Sequence, residues 1–222
     1  MEFATNNPGI LYLRWDDKEQ VRAVSELHLK LLPESILSKL GYLFLSRFYY
    51  RELVKDQLID VYIYRHQGEY AGFISCTNQP FTFMRKGLMR NFLRVLFLLA
   101  ASVAAKPVRL LVLLKYLLVI KRDKLMGTLE KDYGVQMGEF LSFGVLEKFR
   151  KCIDEVENKT VSNVLMELVS THFRANKIKH ALLRILPSNT RAIRFYHKHA
   201  GFVIPSPNPN EVVMLIESSA AR

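Results

Sequence analysis

Cysteine is scarce in this chain: Cys76 and Cys152 are its only two among 222 residues, far apart and with no CxxC pair. That argues against a disulfide scaffold or a zinc site and fits a reducing cytoplasm. The six histidines form no HExxH motif and no His-x-His arrangement on a strand, since His197 and His199 flank Lys198 on an expected helix, so no metal is expected. No Gly-x-Ser-x-Gly elbow occurs, so no serine nucleophile is expected either. The opening residues Met1 to Pro8 lack a basic-then-apolar arrangement, and no signal peptide is read there. No apolar run approaches the roughly 18–20 residues needed to span a bilayer. Acidic residues are missing from one long stretch, where Asp123 is the single acid between Phe81 and Lys124.

Half of the residues are hydrophobic, enough for a sizeable core, and the length suits one domain over 1–222. The net charge of +11 favours anionic partners without choosing among phosphates, nucleotides, nucleic acid and anionic lipid. Nucleic acid fits least well, because the basic residues are interleaved with aliphatic side chains rather than aromatic ones.

Along the chain, Ile10 to Arg14 reads as a strand, and Asp16 or Asp17 caps the next element. Val21, Val24, Leu27, Leu31 and Leu32 recur at helical spacing. After Pro33-Glu34-Ser35 a second helix is expected from about Ile36 to Lys55. Leu58–Tyr64 and Tyr70–Thr77 alternate and are joined by His66-Gln67-Gly68-Glu69, which predicts an antiparallel hairpin. A basic-apolar helical insertion comes next at about 81–124, carrying Arg85, Lys86, Arg90, Arg94, Lys106, Arg109, Lys115, Lys121, Arg122 and Lys124. Its readings are a solvated helical insertion, a roof over a phosphate-bearing acceptor, or peripheral contact with an anionic membrane through 85–124. Gly138 to Val145 is a strand by composition, and Val164, Leu165, Leu168, Val169 and Phe173 mark a helix.

The most specific stretch lies near the C-terminus. An apolar strand through Leu186 is stopped by Pro187, and Ser188 or Asn189 can cap a helix. Ala192, Phe195 and Tyr196 share one face of that helix, Gly201 is its expected stop, and Phe202 begins another strand.

These residues, Asn189-x-x-Ala192-x-x-x-Tyr196 and then Gly201-Phe202, resemble the C-terminal motif of the GNAT superfamily of acyl-CoA-dependent N-acyltransferases. The spacing departs by one residue, with four between Tyr196 and Gly201 where the family usually has three. Leu32-Pro33-Glu34-Ser35, the helix after it and the hairpin ending Gly72-Phe73-Ile74 resemble a bacterial subgroup that also carries basic helices between strands three and four. The resemblance implies an α/β fold: a mixed, largely antiparallel sheet with helices on both faces. It implies acetyl-CoA, or another acyl-CoA, as co-substrate and a primary amine as acceptor, attacked directly. An amino sugar suits the charge of the chain. It further implies that Asn189 holds the cofactor arm and that Tyr196 protonates the departing thiolate. Glu139 falls where members carry the general base, and backbone amides of Phe143, Gly144 and Val145 would pair with the pantetheine arm.

The expected diphosphate loop departs most. Glu157 to Ser162 stands in its place without a glycine at either key position. Arg150, Lys159, Thr160, Val161, Ser162 and Asn163 are the remaining candidates to hold the diphosphate, through positive charge, hydroxyls and backbone amides at a helix start. That departure keeps a second reading open, a GNAT-fold binding or regulatory module whose basic insertion meets an anionic partner. The oligomeric state is left open.

Overall fold

The computed structural model describes residues 7–105, 107, 136–206 and 208–217. Its main sheet is built from β1 (Ile10–Tyr12), β2 (Asp60–His66), β3 (Glu69–Thr77), β4 (Met137–Val145), β7 (His180–Ile185), β8 (Gly201–Ile204) and β9 (Val212–Glu217). The order across the sheet is β1-β2-β3-β4-β7-β9-β8. Every neighbouring pair is antiparallel except β4 with β7. A separate two-stranded hairpin, β5 (Ile153–Asp154) and β6 (Lys159–Thr160), lies between β4 and β7 in the chain.

Alternation along the strands divides the core in two. Val61, Ile63 and Phe73 face α1 (Lys18–Leu31), the short helices after it, and α5 (Phe83–Arg90) with α6 (Phe92–Ala105). Tyr62, Tyr64 and Ile74 face α7 (Val161–Ala175) and α8 (Thr190–Lys198), where Val164, Val169, Phe173 and Tyr196 complete the second core. The mixed, largely antiparallel α/β sheet covered on both faces is the architecture expected from the sequence.

Local chemistry explains most element ends. Asp17 accepts from the amides of Glu19 and Gln20 and caps α1. The continuous helix expected from Ile36 to Lys55 is instead broken into α2 (Ile36–Leu40), α3 (Tyr42–Phe44), a π-helical turn (Leu45–Tyr49) and α4 (Glu52–Lys55). Gly41 sits at φ 95°, outside the helical region, and cuts the first turn off from the rest. Gly201 is not the helix stop. Ala200 takes the left-handed turn at φ 58°, and Gly201 opens β8, where a Cβ would lie 2.7 Å from the Tyr196 carbonyl oxygen. The strand β9 carried no separate expectation.

The insertion expected at 81–124 is described only through Ala105 and at Pro107. The basic residues Lys106, Arg109, Lys115, Lys121, Arg122 and Lys124 lie outside the described residues. Helices α5 and α6 meet at a bend of 91°. Among the described residues no single helix is long and apolar enough to cross a membrane.

Candidate active site

Strand β4 holds the centre of the site because its two neighbours stop in different places. On one side it pairs with β3 as far as Gly72 opposite Val145. On the other it pairs with β7 only from Met137 to Phe140. Leu141 is an extra residue between the pairs Cys76–Phe140 and Ser75–Ser142, a bulge that bends the strand where β7 leaves it. A wedge therefore opens along Leu141–Val145.

Which backbone groups face the wedge is set by strand geometry. The amide of Leu146 donates to Ala71 on β3, so the groups of Leu146 and Gly144 turn toward β3. Those of Phe143 and Val145 turn the other way. Arg150 Nε donates to the Val145 carbonyl at 3.1 Å, which agrees with this assignment and places a guanidinium at the mouth of the wedge. The Phe143 and Val145 amides are thus the edge donors that an extended, amide-bearing ligand would meet.

Tyr196 reaches the same region from α8. Its ring lies 6.3 Å from that of Phe140 and 6.4 Å from that of Phe143, centroid to centroid, and the residue is 6% exposed. Burial pushes its phenol above the ordinary value, so the group carries its proton at neutral pH. The hydroxyl makes no hydrogen bond among the described residues, and it is not sealed from solvent. Asn189 is exposed, and its side-chain oxygen accepts the Ala192 amide at 3.2 Å, capping α8. Its amide nitrogen is the group left for a ligand.

Glu139 lies on the other face. Phe140 packs against Phe173 of α7 at 5.2 Å, so the alternating Met137 and Glu139 turn away from α7. Met137 joins a small cluster with Leu182, Val213 and Leu215. Glu139 is buried, with Arg184 Nε 3.7 Å from its Oε1, and the same guanidinium stands 3.6 Å from Glu211 Oε1. Arg184 and Glu211 were not singled out from the sequence. A lone arginine inside the apolar run Ala181–Ile185 was the available signal, because a buried charge needs a partner.

The region expected from the sequence to hold a diphosphate carries a hairpin in place of a glycine loop. Asp154 in the β5–β6 hairpin accepts from Asn7 Nδ2 at 3.0 Å, from the amides of Val156 and Glu157, and from the Tyr64 hydroxyl. Burial opposes its charge, and these donors outweigh it and hold the carboxyl below its usual value. Asn158 at φ 51° makes the turn. The hairpin delivers Thr160 as the cap of α7, and the Thr160 side chain makes no capping hydrogen bond there. The Val161 amide donates to the Cys152 carbonyl, whereas Ser162 and Asn163 contribute first-turn amides of the kind a phosphate accepts from. Asn163 Oδ1 is 3.2 Å from His199 Nε2, tying the start of α7 to the end of α8. Lys159 is not a free cation, since it pairs with Glu167 at 2.5 Å.

The structure thus gathers Phe143, Val145, Arg150 and Tyr196 about one wedge. Ser162 and Asn163 stand at the adjoining helix start, and Glu139 and Lys159 engage other partners.

Neither a protein-family model nor a curated protein sequence matches the chain. Solved structures do. The PaiA N-acetyltransferase from Thermoplasma acidophilum, in complex with coenzyme A, superposes with a TM-score of 0.53 at 11% identity, covering 94% of this chain and 98% of that one. NAA60 from Arabidopsis thaliana, in complex with a bisubstrate analogue, gives 0.53 at 13% identity, covering 94% and 97%. The same plant protein with acetyl-CoA gives 0.51 at 13% over the same shares. At such identities the likeness is one of fold, and the fold of this chain is that of the GNAT acyltransferases.

Proposed function

We propose that the protein is an N-acyltransferase that moves an acetyl or other short acyl group from acyl-CoA to a primary amine by direct attack. One observation carries this reading: β4 parts from β7 at Phe140, and the amides turned into the gap are flanked by a protonated phenol with no hydrogen-bond partner among the described residues. The solved structures of this fold that hold coenzyme A, acetyl-CoA and a bisubstrate analogue support the choice of co-substrate.

In this mechanism the pantetheine arm pairs with the Phe143 and Val145 edge. One of those amides donates to the thioester carbonyl oxygen as negative charge develops on it. The amine attacks from the Glu139 face, and Glu139 takes its proton directly or through water. The tetrahedral intermediate then collapses. Its C–S bond breaks, and Tyr196 gives its proton to the leaving sulfur. Arg150 and the first-turn amides of α7 take the diphosphate, and the Asn189 amide nitrogen holds the arm. Acyl-CoA chemistry suits a cytoplasmic protein, and an amino sugar is the acceptor that suits the chain's positive charge.

A second reading has its own support. The glycine-free hairpin and the Lys159–Glu167 pair weaken the diphosphate cradle, which fits a GNAT-fold binding module. Met89, Phe92, Leu93, Leu96 and Phe97 on α5 and α6 are exposed beside Arg85, Lys86 and Arg90, a surface suited to peripheral contact with an anionic membrane. Thermal melting with acetyl-CoA separates the two readings. A ligand at a hundred times its dissociation constant adds about 2.7 kcal/mol to the folded state. A clear upward shift, together with acyl transfer to a panel of amino sugars, is the expected result. No shift at millimolar acetyl-CoA or longer acyl-CoAs would leave the binding module as the function.

A further inference from the structure

Away from the wedge, three potential ligand side chains from three elements converge under the far half of α7. They are Asp60 at the start of β2, Cys76 near the end of β3, and His172 in the last turns of α7. One ligand atom of each lies within 4.8 Å of the other two. His172 Nε2 stands 3.5 Å from Asp60 Oδ2 and 3.1 Å from Asn78 Oδ1. Tetrahedral zinc with bonds of about 2.0–2.3 Å separates its ligand atoms by about 3.3–3.7 Å, close to these values. Asn78 adds an oxygen as the fourth ligand.

The surroundings are those that metal ligands require. Tyr62 Oη sits 2.9 Å from His172 Nδ1, the ring nitrogen that a metal on Nε2 leaves outward, and Tyr12 Oη donates to Asp60 Oδ1 at 2.7 Å. Such partners fix the tautomer of the imidazole and the orientation of the carboxylate. Cys76 is fully buried and His172 is 5% exposed, while the Asp60 side chain is 23% exposed and Asn78 is half-buried, which leaves an ion a route in. The residues are too far apart in sequence to form a motif, which is why the histidine and cysteine patterns gave no such signal.

We propose that Asp60, Cys76 and His172, with Asn78, form a binding site for a divalent cation of the zinc class. Thiolate with imidazole and carboxylate selects zinc or cobalt over magnesium and calcium. On binding, the Cys76 thiol loses its proton to solvent and the sulfur bonds the metal. His172 keeps its single proton on Nδ1, facing Tyr62. The ion then clamps β2, β3 and α7 together. The site lies about 15 Å along α7 from Ser162, ten residues at 1.5 Å each, so it is separate from the first-turn amides of that helix.

The test uses the full chain, stripped with chelator, loaded with zinc chloride and desalted, with bound zinc counted by mass spectrometry. One zinc per chain is expected. Cobalt in its place should give a near-ultraviolet sulfur-to-cobalt charge-transfer band together with the intense visible bands of a tetrahedral ion. Both signals should vanish in Cys76→Ser and His172→Gln and persist in Cys152→Ser. Tyr62→Phe should weaken zinc about tenfold while leaving coenzyme A binding unchanged. Zinc well below one per chain, or retained by the Cys76→Ser and His172→Gln variants, would overturn the proposal. Should those variants fail to fold, the cobalt spectrum of the native chain decides, and a missing thiolate band overturns it.

Discussion

The two faces of β4 each bury a tyrosine, and they treat it in opposite ways. On the α1 face, Tyr50 is fully enclosed, its hydroxyl 2.6 Å from His28 Nδ1 and within hydrogen-bonding reach of Ser142 on β4. His28 Nε2 continues to Ser35 at 3.0 Å, so the chain of donors and acceptors is closed. On the α8 face, Tyr196 is nearly as buried, yet its hydroxyl has no partner among the described residues. Burial raises both phenols above their ordinary value. A buried polar group with every partner in place stabilises the fold, whereas one left unpartnered beside an open strand edge is available to a ligand.

The largest effect that would test this contrast belongs to the closed face and depends on pH. His28 is fully buried, and its imidazole is pushed down to about 4 from its ordinary 6.5. In the unfolded chain it binds a proton below pH 6.5, while in the folded chain it does so only below about 4. The unfolded state therefore gains protons first as the pH falls, and stability declines across that window by about 3 kcal/mol. Chemical denaturation from about pH 7 to 4 should show this acid limb, flattened in His28→Gln. An unchanged limb would mean that His28 is not held neutral.

The two tyrosines should then separate by assay. Tyr196→Phe keeps the ring packing and removes a hydroxyl that makes no hydrogen bond among the described residues, so turnover should fall about 100-fold, near 2.7 kcal/mol, with the melting temperature unchanged. Tyr50→Phe should do the reverse, lowering stability by about 1–2 kcal/mol by unpairing His28 while sparing turnover. If Tyr50→Phe abolished activity, the closed network would have to be part of the chemistry.

Arg184→Met should cost about 2 kcal/mol in urea unfolding, since it removes the guanidinium that stands beside Glu139 and Glu211. The figure lies below that for a fully buried pair because the arginine side chain is 24% exposed. Lys159→Ala is the smallest. Its pair with Glu167 is solvent-exposed, and stability should move by no more than about 0.5 kcal/mol. Its effect on the affinity for coenzyme A, measured by calorimetry, should be equally slight if the first-turn amides of α7 hold the diphosphate. A large loss would return Lys159 to the cradle.

Particular residues show where the sequence was readable. Leu58–Thr77 announced its hairpin through alternation and the turn at Gln67-Gly68, and β2 and β3 form it. Asn189 was one of two expected caps, and its side chain accepts from Ala192. Gly138–Val145 read as a strand and is β4, and the periodicity from Val164 to Phe173 is α7. Tyr196 was chosen by resemblance, and its position beside Phe143 came from the fold. The β5–β6 hairpin escaped notice because its strands have two residues each and it is pinned by Asn7, 147 positions from Asp154. The salt bridge of Arg184 with Glu139 also crosses between strands that the chain separates widely.

By itself the sequence determined the elements and their faces, because caps, turns and periodicity act within a few residues through backbone hydrogen bonds and side-chain spacing. Only the tertiary structure decided where β4 and β7 part, that Tyr50 is closed in while Tyr196 is not, and that Asp60, Cys76 and His172 share one point. Those outcomes depend on strand register and on packing between segments tens of residues apart, which no local pattern encodes.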